Sequence, residues 1–421
     1  MKAWICGIEN LMKTYTIPQV KLPKFEKLLG RLISIPSISS PSPDWDQGNL
    51  PIIRELADWF ESLGFKVNVQ SIPGQINKAN LIATLGEGAN GLVLSGHTDT
   101  VPYDTKKWAS DPFKLIEREQ KFYGLGTCDM KGFFPIIIEA LRQMENVELS
   151  QPLIILATAD EESSMSGARA LADSGTIQGR AAVIGEPTSI RPIRMHKGIL
   201  MESVVVSGSS GHSSNPGLGN NALEGMYDLI GELLAFRSRI QSEHQNNLFE
   251  VNVPTLNLGR IQGGDSPNRI CGHCELSFDL RPLPGMDIDA LKSEVRILAK
   301  KIEAKRGLHL HVESLFGGTQ PFETSEQADL VRLCESLTGH SAGAVAFATE
   351  APFMSAMGLE TIVMGAGSID QAHQPNEFLA LNQIKPMSEV LRQLIMRYCV
   401  DSSDGIDLKK VDLKKVGINH E

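Results

Sequence analysis

Two histidines and several acids in this chain each follow a short, nearly all-apolar run. His97 and Asp99 come after GLVLSG (91–96), and Asp160, Glu161 and Glu162 after LIILATA (153–159). Glu186 follows AAVIG (181–185), and TIVMG (361–365) leads into a glycine-containing loop that reaches His373. Asp129 lies in a glycine-punctuated loop, GLGTCDMKGF (124–133), just before a helix pattern. Runs of this kind read as strands buried on both faces, and open α/β sheets bind ligands beyond the carboxyl ends of their strands. Carboxylates gathered at one edge repel one another unless a cation neutralises them. Imidazole and carboxylate donors suit zinc at about 2.0–2.2 Å, and cobalt or manganese also fit this donor set. The donors outnumber the needs of one tetrahedral ion and match a pair of ions about 3.5–4 Å apart that share a carboxylate. In His97-x-Asp99, the acid is placed to hold the imidazole in one tautomer. Taken singly, each residue has an ordinary explanation, such as a helix-opening acid or a turn residue before Pro187. Their common position at one sheet edge does not.

The elements that must position these groups follow a helix–strand alternation. Apolar residues recur at helical spacing over 22–35, 51–65 and 133–144, and KVNVQSI (66–72) alternates as a strand. This grammar predicts an α/β catalytic domain with a mainly parallel sheet. The middle of the chain reads differently. Strand patterns at 201–208, 255–261, 274–281 and 308–315 and helix patterns at 222–240 and 290–306 give the order β-α-β-β-α-β, that of a ferredoxin-like α+β unit. The expected domains are 1–196 and 316–421 for the catalytic part, with residues 1–20 as an extension, and 197–315 for the insert. His196-Lys197-Gly198 falls at the first crossover, where a hinge is expected. The charged tail, DLKKVDLKKVGINHE, is expected to be an exposed terminal segment.

Composition narrows the function classes. The formal net charge is −10 over 421 residues, which argues against a nucleic-acid surface, since that needs a basic face. No apolar run is long enough for a membrane span, and residues 1–13 lack the pattern of a signal peptide. Met12 could serve as the natural start. Six cysteines are sparse for this length and do not form a disulfide framework, which favours a reducing, cytoplasmic setting. CGHC (271–274) copies a thiol-disulfide spacing but enters a strand pattern rather than a helix N-terminus. Alternation there predicts Cys271 and Cys274 on opposite faces.

The segments HTDTVP (97–102), GLGTCDMKGF (124–133), TADEES (158–163), IGEPT (184–188) and GAGSIDQAHQPNE (365–377) resemble, in order, those of the M20 metallopeptidases. These are co-catalytic zinc hydrolases, and the likeness runs from about residue 22 to about residue 398. TEAPF (349–353) and SIDQAHQP (368–375) look most like the acetylornithine deacetylase branch. The resemblance implies a zinc-peptidase-like fold and two divalent ions. One would be held by His97 and Glu186, the other by Glu162 and His373, with Asp129 bridging. It makes Glu161 the general base and acid and Asp99 the residue orienting His97. GHSS (211–214) resembles the family's lid motif, which makes His212 an oxyanion donor, often contributed by the other subunit of a homodimer joined through the lid. By the same resemblance Asn268 and Arg281 contact the substrate, and Gly367 brings backbone close to it. The expected reaction is removal of an N-acyl group from a small acylated amino acid by a metal-activated water. The first choice of substrate is N-acetyl-L-ornithine, in arginine biosynthesis. Succinyl-diaminopimelate, another N-acyl amino acid or a dipeptide are the alternatives.

Overall fold

The computed structural model describes residues 15–400. The extension and possible start at Met12, and the charged tail, lie wholly or mostly outside them. In chain order the main elements of the first part are α1 (Phe25–Ile33), α2 (Leu50–Ser62), β1 (Lys66–Ser71), β2 (Ala79–Leu85), β3 (Leu92–His97), α3 (Phe133–Arg142), β4 (Leu153–Thr158), α4 (Ser166–Ser174), β5 (Ala181–Pro187) and β6 (Ile193–His196). The middle unit comprises β7 (Leu200–Ser207), α5 (Ala222–Glu243), β8 (Thr255–Gly263), β9 (His273–Arg281), α6 (Ile288–Arg306) and β10 (His309–Ser314). The chain then returns through α7 (Asp329–Thr338), α8 (Ala351–Ala356), β11 (Glu360–Gly365) and α9 (Leu381–Ile395).

The four apolar runs become β3, β4, β5 and β11, parallel neighbours in the order β4-β3-β5-β11. β3 and β4 are buried along their whole length, because helices cover both faces of the sheet. The expected mainly parallel sheet is nevertheless a mixed one. β2 pairs antiparallel with β4 and with β1, and β6 pairs antiparallel with β11. The first departure has a simple cause. Residues 72–78, with Gly74 at φ +79°, join β1 to β2, and a link this short permits only an antiparallel return.

Helix α3 carries eight buried residues, among them Phe134, Ile137, Ile138 and Leu141. Each such side chain contributes about 1.5–3 kcal/mol by leaving water, which anchors the end of the loop bearing Asp129. Phe133 reaches the strand ends because residue 185 is glycine. A Cβ there would lie 2.3 Å from the Phe133 ring.

The middle unit has its own four-stranded antiparallel sheet, ordered β8-β9-β7-β10, and its own apolar core. Its first strand lies between the third and fourth, the ferredoxin-like arrangement. Asn221 and Asp287 cap its two helices by accepting Leu223 N–H and Asp289 N–H. At the crossover, the buried Lys197 Nζ donates to the Val251 and Val253 carbonyls at 2.8 and 2.7 Å. His196 is fully buried, which lowers its pKa to about 4, and its neutral ring accepts Thr349 N–H.

The thiols of Cys271 and Cys274 depart from the expected alternation. Both are buried in the core of this unit. β9 begins only at His273, so Cys271 sits in the bend before the strand and its side chain is free of the alternation.

Candidate metal centre

Six of the predicted residues meet at the carboxyl edge of the parallel strands. His97 ends β3, Glu161 and Glu162 follow β4, and Glu186 lies near the end of β5. Asp129 reaches the same point from the loop before α3, and His373 from the loop after β11. Asp129 sits between the two imidazoles: its Oδ1 is 3.1 Å from His97 Nε2 and its Oδ2 is 3.5 Å from His373 Nε2. His97 Nε2 is 3.8 Å from Glu186 Oε1, and His373 Nε2 is 2.9 Å from Glu162 Oε2. Donor atoms of His97, Asp129 and Glu162 all lie within 4.8 Å of one another, as do those of His97, Glu161 and Glu186.

The electrostatics are those of crowded acids. Burial and the Asp129 charge push the carboxyls of Glu162 and Glu186 upward, Glu186 far above its usual range. Burial and the Glu186 charge do the same to Glu161. Burial would also raise Asp129, but the hydrogen bond and charge of His97, with the charge of His373, hold it below the usual range. The Glu162 hydrogen bond lifts His373 to about 9. Burial opposes protonation of His97, yet the surrounding carboxylates raise it well above the normal imidazole value.

The donor set fits divalent cations. Glu162 Oε1 and Glu186 Oε1 are buried with no protein partner, a costly arrangement unless something else satisfies them. Two nitrogens and at least three carboxylates, one presenting an oxygen toward each imidazole, are the ligand types that zinc and its neighbours accept. His97 and Glu186 would hold one ion, Glu162 and His373 the other, with Asp129 shared.

The other predicted residues are spread more widely. Asp99 lies beside the cluster, but His97 Nδ1 is 3.0 Å from the Asp99 main-chain oxygen and 3.7 Å from its Oδ1. The carbonyl is therefore the closer partner of the ring, while Asp99 Oδ2 accepts Glu162 N–H at 3.0 Å. Gly367, at φ +97°, packs against Cys128 and Pro187, the residues beside Asp129 and Glu186. His212 and Asn268 are exposed neighbours in the middle unit. His212 Nδ1 accepts the Ser214 hydroxyl at 2.7 Å, and Asn268 Oδ1 accepts the Ser266 hydroxyl at 2.6 Å. Arg281, at the end of β9, is held by the Asp279 carboxylate. The chain's own fold thus does not bring these three side chains into the cluster.

Two further groups, Glu350 and Lys78, escaped sequence reasoning, and Asp160 reads in sequence only as an acid after a strand, with no role. Glu350, just before α8, is fully buried; its Oε2 accepts the Thr158 hydroxyl at 2.9 Å and its Oε1 has no partner. Asp160 accepts the Lys78 ammonium at 2.5 Å and the hydroxyls of Ser39 and Ser166. These bonds hold it at φ +62° directly before Glu161 and Glu162. Lys78 also binds Asp46 at 2.7 Å. The available signals were an acid in the apolar stretch ATEAP and the first acid of the DEE triplet.

The chain resembles solved structures over most of its length. An aminopeptidase, PepT, from Bacillus cereus is 18% identical with a TM-score of 0.70, over 88% of this chain and 97% of that one. The metallo-carboxypeptidase Sso-CP2 from Sulfolobus solfataricus is 17% identical with a TM-score of 0.69, over 90% and 99%. The Bacillus subtilis YXEP protein, a dinuclear metal-binding peptidase, is 16% identical with a TM-score of 0.60, over 89% and 97%. At these identities the likeness shows the fold. The family itself is shown by the profile of peptidase family M20/M25/M40, which matches residues 93–397, the stretch holding every side chain of the cluster; the chain belongs to that family of metal-dependent hydrolases.

Proposed function

We propose that this protein is a dinuclear amidohydrolase that removes the N-acyl group from an acylated amino acid, with N-acetyl-L-ornithine as first-choice substrate. The observation that carries the reading is Asp129, whose two oxygens face two separate imidazoles, flanked by buried carboxylate oxygens that no protein group satisfies. Two divalent ions, zinc as first choice, supply Lewis acidity toward the acyl carbonyl and ease deprotonation of water near neutral pH. Glu161 lies beside His97 and Glu186 and keeps partial access to solvent. Its carboxylate takes the proton of the attacking water and returns it to the leaving amine. Water adds across the amide, giving a carboxylic acid and a free amino group. Half of the His373 side chain is exposed, so this side of the cluster is open to an arriving substrate.

Acetylornithine rests on TEAPF and SIDQAHQP. Solved relatives include a human carnosine dipeptidase, 18% identical with a TM-score of 0.64 over 89% of this chain and 96% of that one, which makes a dipeptide the second reading. The middle unit acts as a lid, and His212 serves as oxyanion donor to the other subunit of a homodimer. Asn268 and Arg281 complete the substrate site from the lid. The exposed outer strand β8 and the exposed Tyr227 and Leu223 of α5 suit such an interface. The proposed setting is the cytoplasm, in arginine biosynthesis; no described helix is long and apolar enough to cross a membrane.

The test is turnover of a panel of N-acetyl, N-succinyl and dipeptide substrates by wild type and by Glu161→Gln. Acetylornithine should be cleaved fastest, and the variant should keep its ions while losing at least about a hundredfold in rate. Fast cleavage of succinyl-diaminopimelate with inert acetylornithine would overturn the substrate choice. Wild-type rates in Glu161→Gln would overturn the mechanism.

A further inference from the structure

The buried carboxylate of Glu377 takes no part in the cluster, and among the described residues every hydrogen bond its side chain makes goes to one loop. Its Oε1 accepts Cys128 N–H at 2.7 Å and Asp129 N–H at 3.0 Å, and its Oε2 accepts Gly126 N–H at 2.9 Å. Its own carbonyl accepts Gly124 N–H at 3.1 Å. The side chain is 1% exposed, so these amides have no water to replace it. Burial and the nearby Asp129 charge raise this carboxyl to about 8, while the three amides aimed at it pull the other way by favouring its ionised form.

Glu377 lies four residues after His373. Directly after it, Phe378–Ala380 pairs antiparallel with Lys121–Tyr123, the strand leading into the same loop. Asn376 ties in a third segment by accepting Ala109 N–H at 2.7 Å. The segment that carries one imidazole is therefore stitched to the loop that carries the shared carboxylate. Without the carboxylate, the three amides of 126–129 would be buried and unpaired, and the loop would relax toward other partners.

Resting on the dinuclear reading above, we infer that Glu377 is a positioning residue that fixes the main chain of Asp129, so that one carboxylate oxygen faces His97 and the other faces His373. The two ion sites are thereby set by a single clamp. A shift of the loop would misplace a ligand of both ions at once, whereas loss of His373 alone should weaken mainly one.

The test uses Glu377→Gln, in which an amide NH2 replaces one accepting oxygen, and Glu377→Asp, which is one methylene shorter. The full-length proteins are stripped of metal and titrated with Zn2+ against a chelating indicator, and separately with Co2+ while its visible absorption is recorded. Wild type should bind two ions. Both variants should bind both ions about 10- to 100-fold more weakly, with altered Co2+ bands, and the aspartate should fail to rescue. Urea denaturation of the stripped proteins establishes the folded fraction, and either variant that folds carries the readout. A merely structural role would lower the denaturation midpoint yet leave the folded protein's dissociation constants and Co2+ spectrum at wild-type values, and that result overturns the inference alone. A wild type that binds no ions overturns the dinuclear reading and this inference with it.

Discussion

Glu350 offers a quantitative test of how the site handles buried charge. Burial dominates its environment and raises its carboxyl from an ordinary 4.5 to about 7, with the His97 charge and the Thr158 hydrogen bond partly opposing. A raised folded value means that the folded state holds the proton over a range in which the unfolded chain has released it. Stability from this group is therefore complete below about pH 4.5 and is lost as pH climbs through about 7. At about 1.4 kcal/mol per pH decade, those two values correspond to roughly 3 kcal/mol. Glu350→Gln keeps the shape and an acceptor for Thr158 but cannot ionise. In metal-free protein, the stability of the variant relative to wild type should thus rise by about 3 kcal/mol from pH 4.5 to 7.5 and level off above. Whatever fixed cost the substitution carries is the same at every pH. The assay is urea denaturation across this range, comparing midpoints at equal m-values. Saturating Zn2+ should flatten the difference, because nearby cations favour the ionised form. A gap that stays constant with pH, or shrinks as pH rises, would refute the argument that Glu350 is an uncompensated buried acid.

Other perturbations give further checks. Lys78→Met leaves Asp160 buried without its ammonium partner, the two side chains being 9% and 3% exposed; loss of about 3 kcal/mol is expected, since breaking a buried pair costs roughly 3–5 and the serine hydroxyls remain. Asp160 is held below its ordinary value and Lys78 above its own. The denaturation gap from wild type should therefore persist between about pH 5 and 10 and close only in stronger acid or base. If His212 acts across a dimer, mixing His212→Ala with inactive Glu161→Gln protein should restore part of the activity through mixed dimers, and steady-state rates showing no complementation would count against the shared site.

The cluster of acids and imidazoles was legible because its chemistry is written locally. A short, bounded apolar run such as LIILATA reads as a buried strand, and the residues just after such a strand emerge at the sheet edge, so Glu161, Glu186 and His97 announced themselves by type and position. The middle unit was legible for the same reason: its periods change cleanly between helix and strand. Glu350, Glu377 and Lys78 were not, and for Asp160 the position after a strand was legible but the buried ion pair was not. An acid before Ala-Pro reads as a helix opener and one after Pro-Asn as a turn residue, and nothing local says that either is buried. The antiparallel flank of the sheet was missed because ANLIATL follows a turn whose tightness, not composition, reverses the chain.

By itself the sequence determined which side chains could bind a cation and which strands would deliver them, because hydrophobic periodicity and donor type are properties of a few neighbouring residues. Only the tertiary structure decided that Asp129 lies between His97 and His373, that the His97 ring bonds the Asp99 carbonyl rather than its carboxylate, and that His212 stands apart from the cluster within its own chain. The first and last depend on the relative placement of segments tens to hundreds of residues apart, and even the His97–Asp99 contact depends on the Asp99 carboxylate being engaged by Glu162 N–H, 63 residues on; long-range packing sets these and no local pattern encodes them.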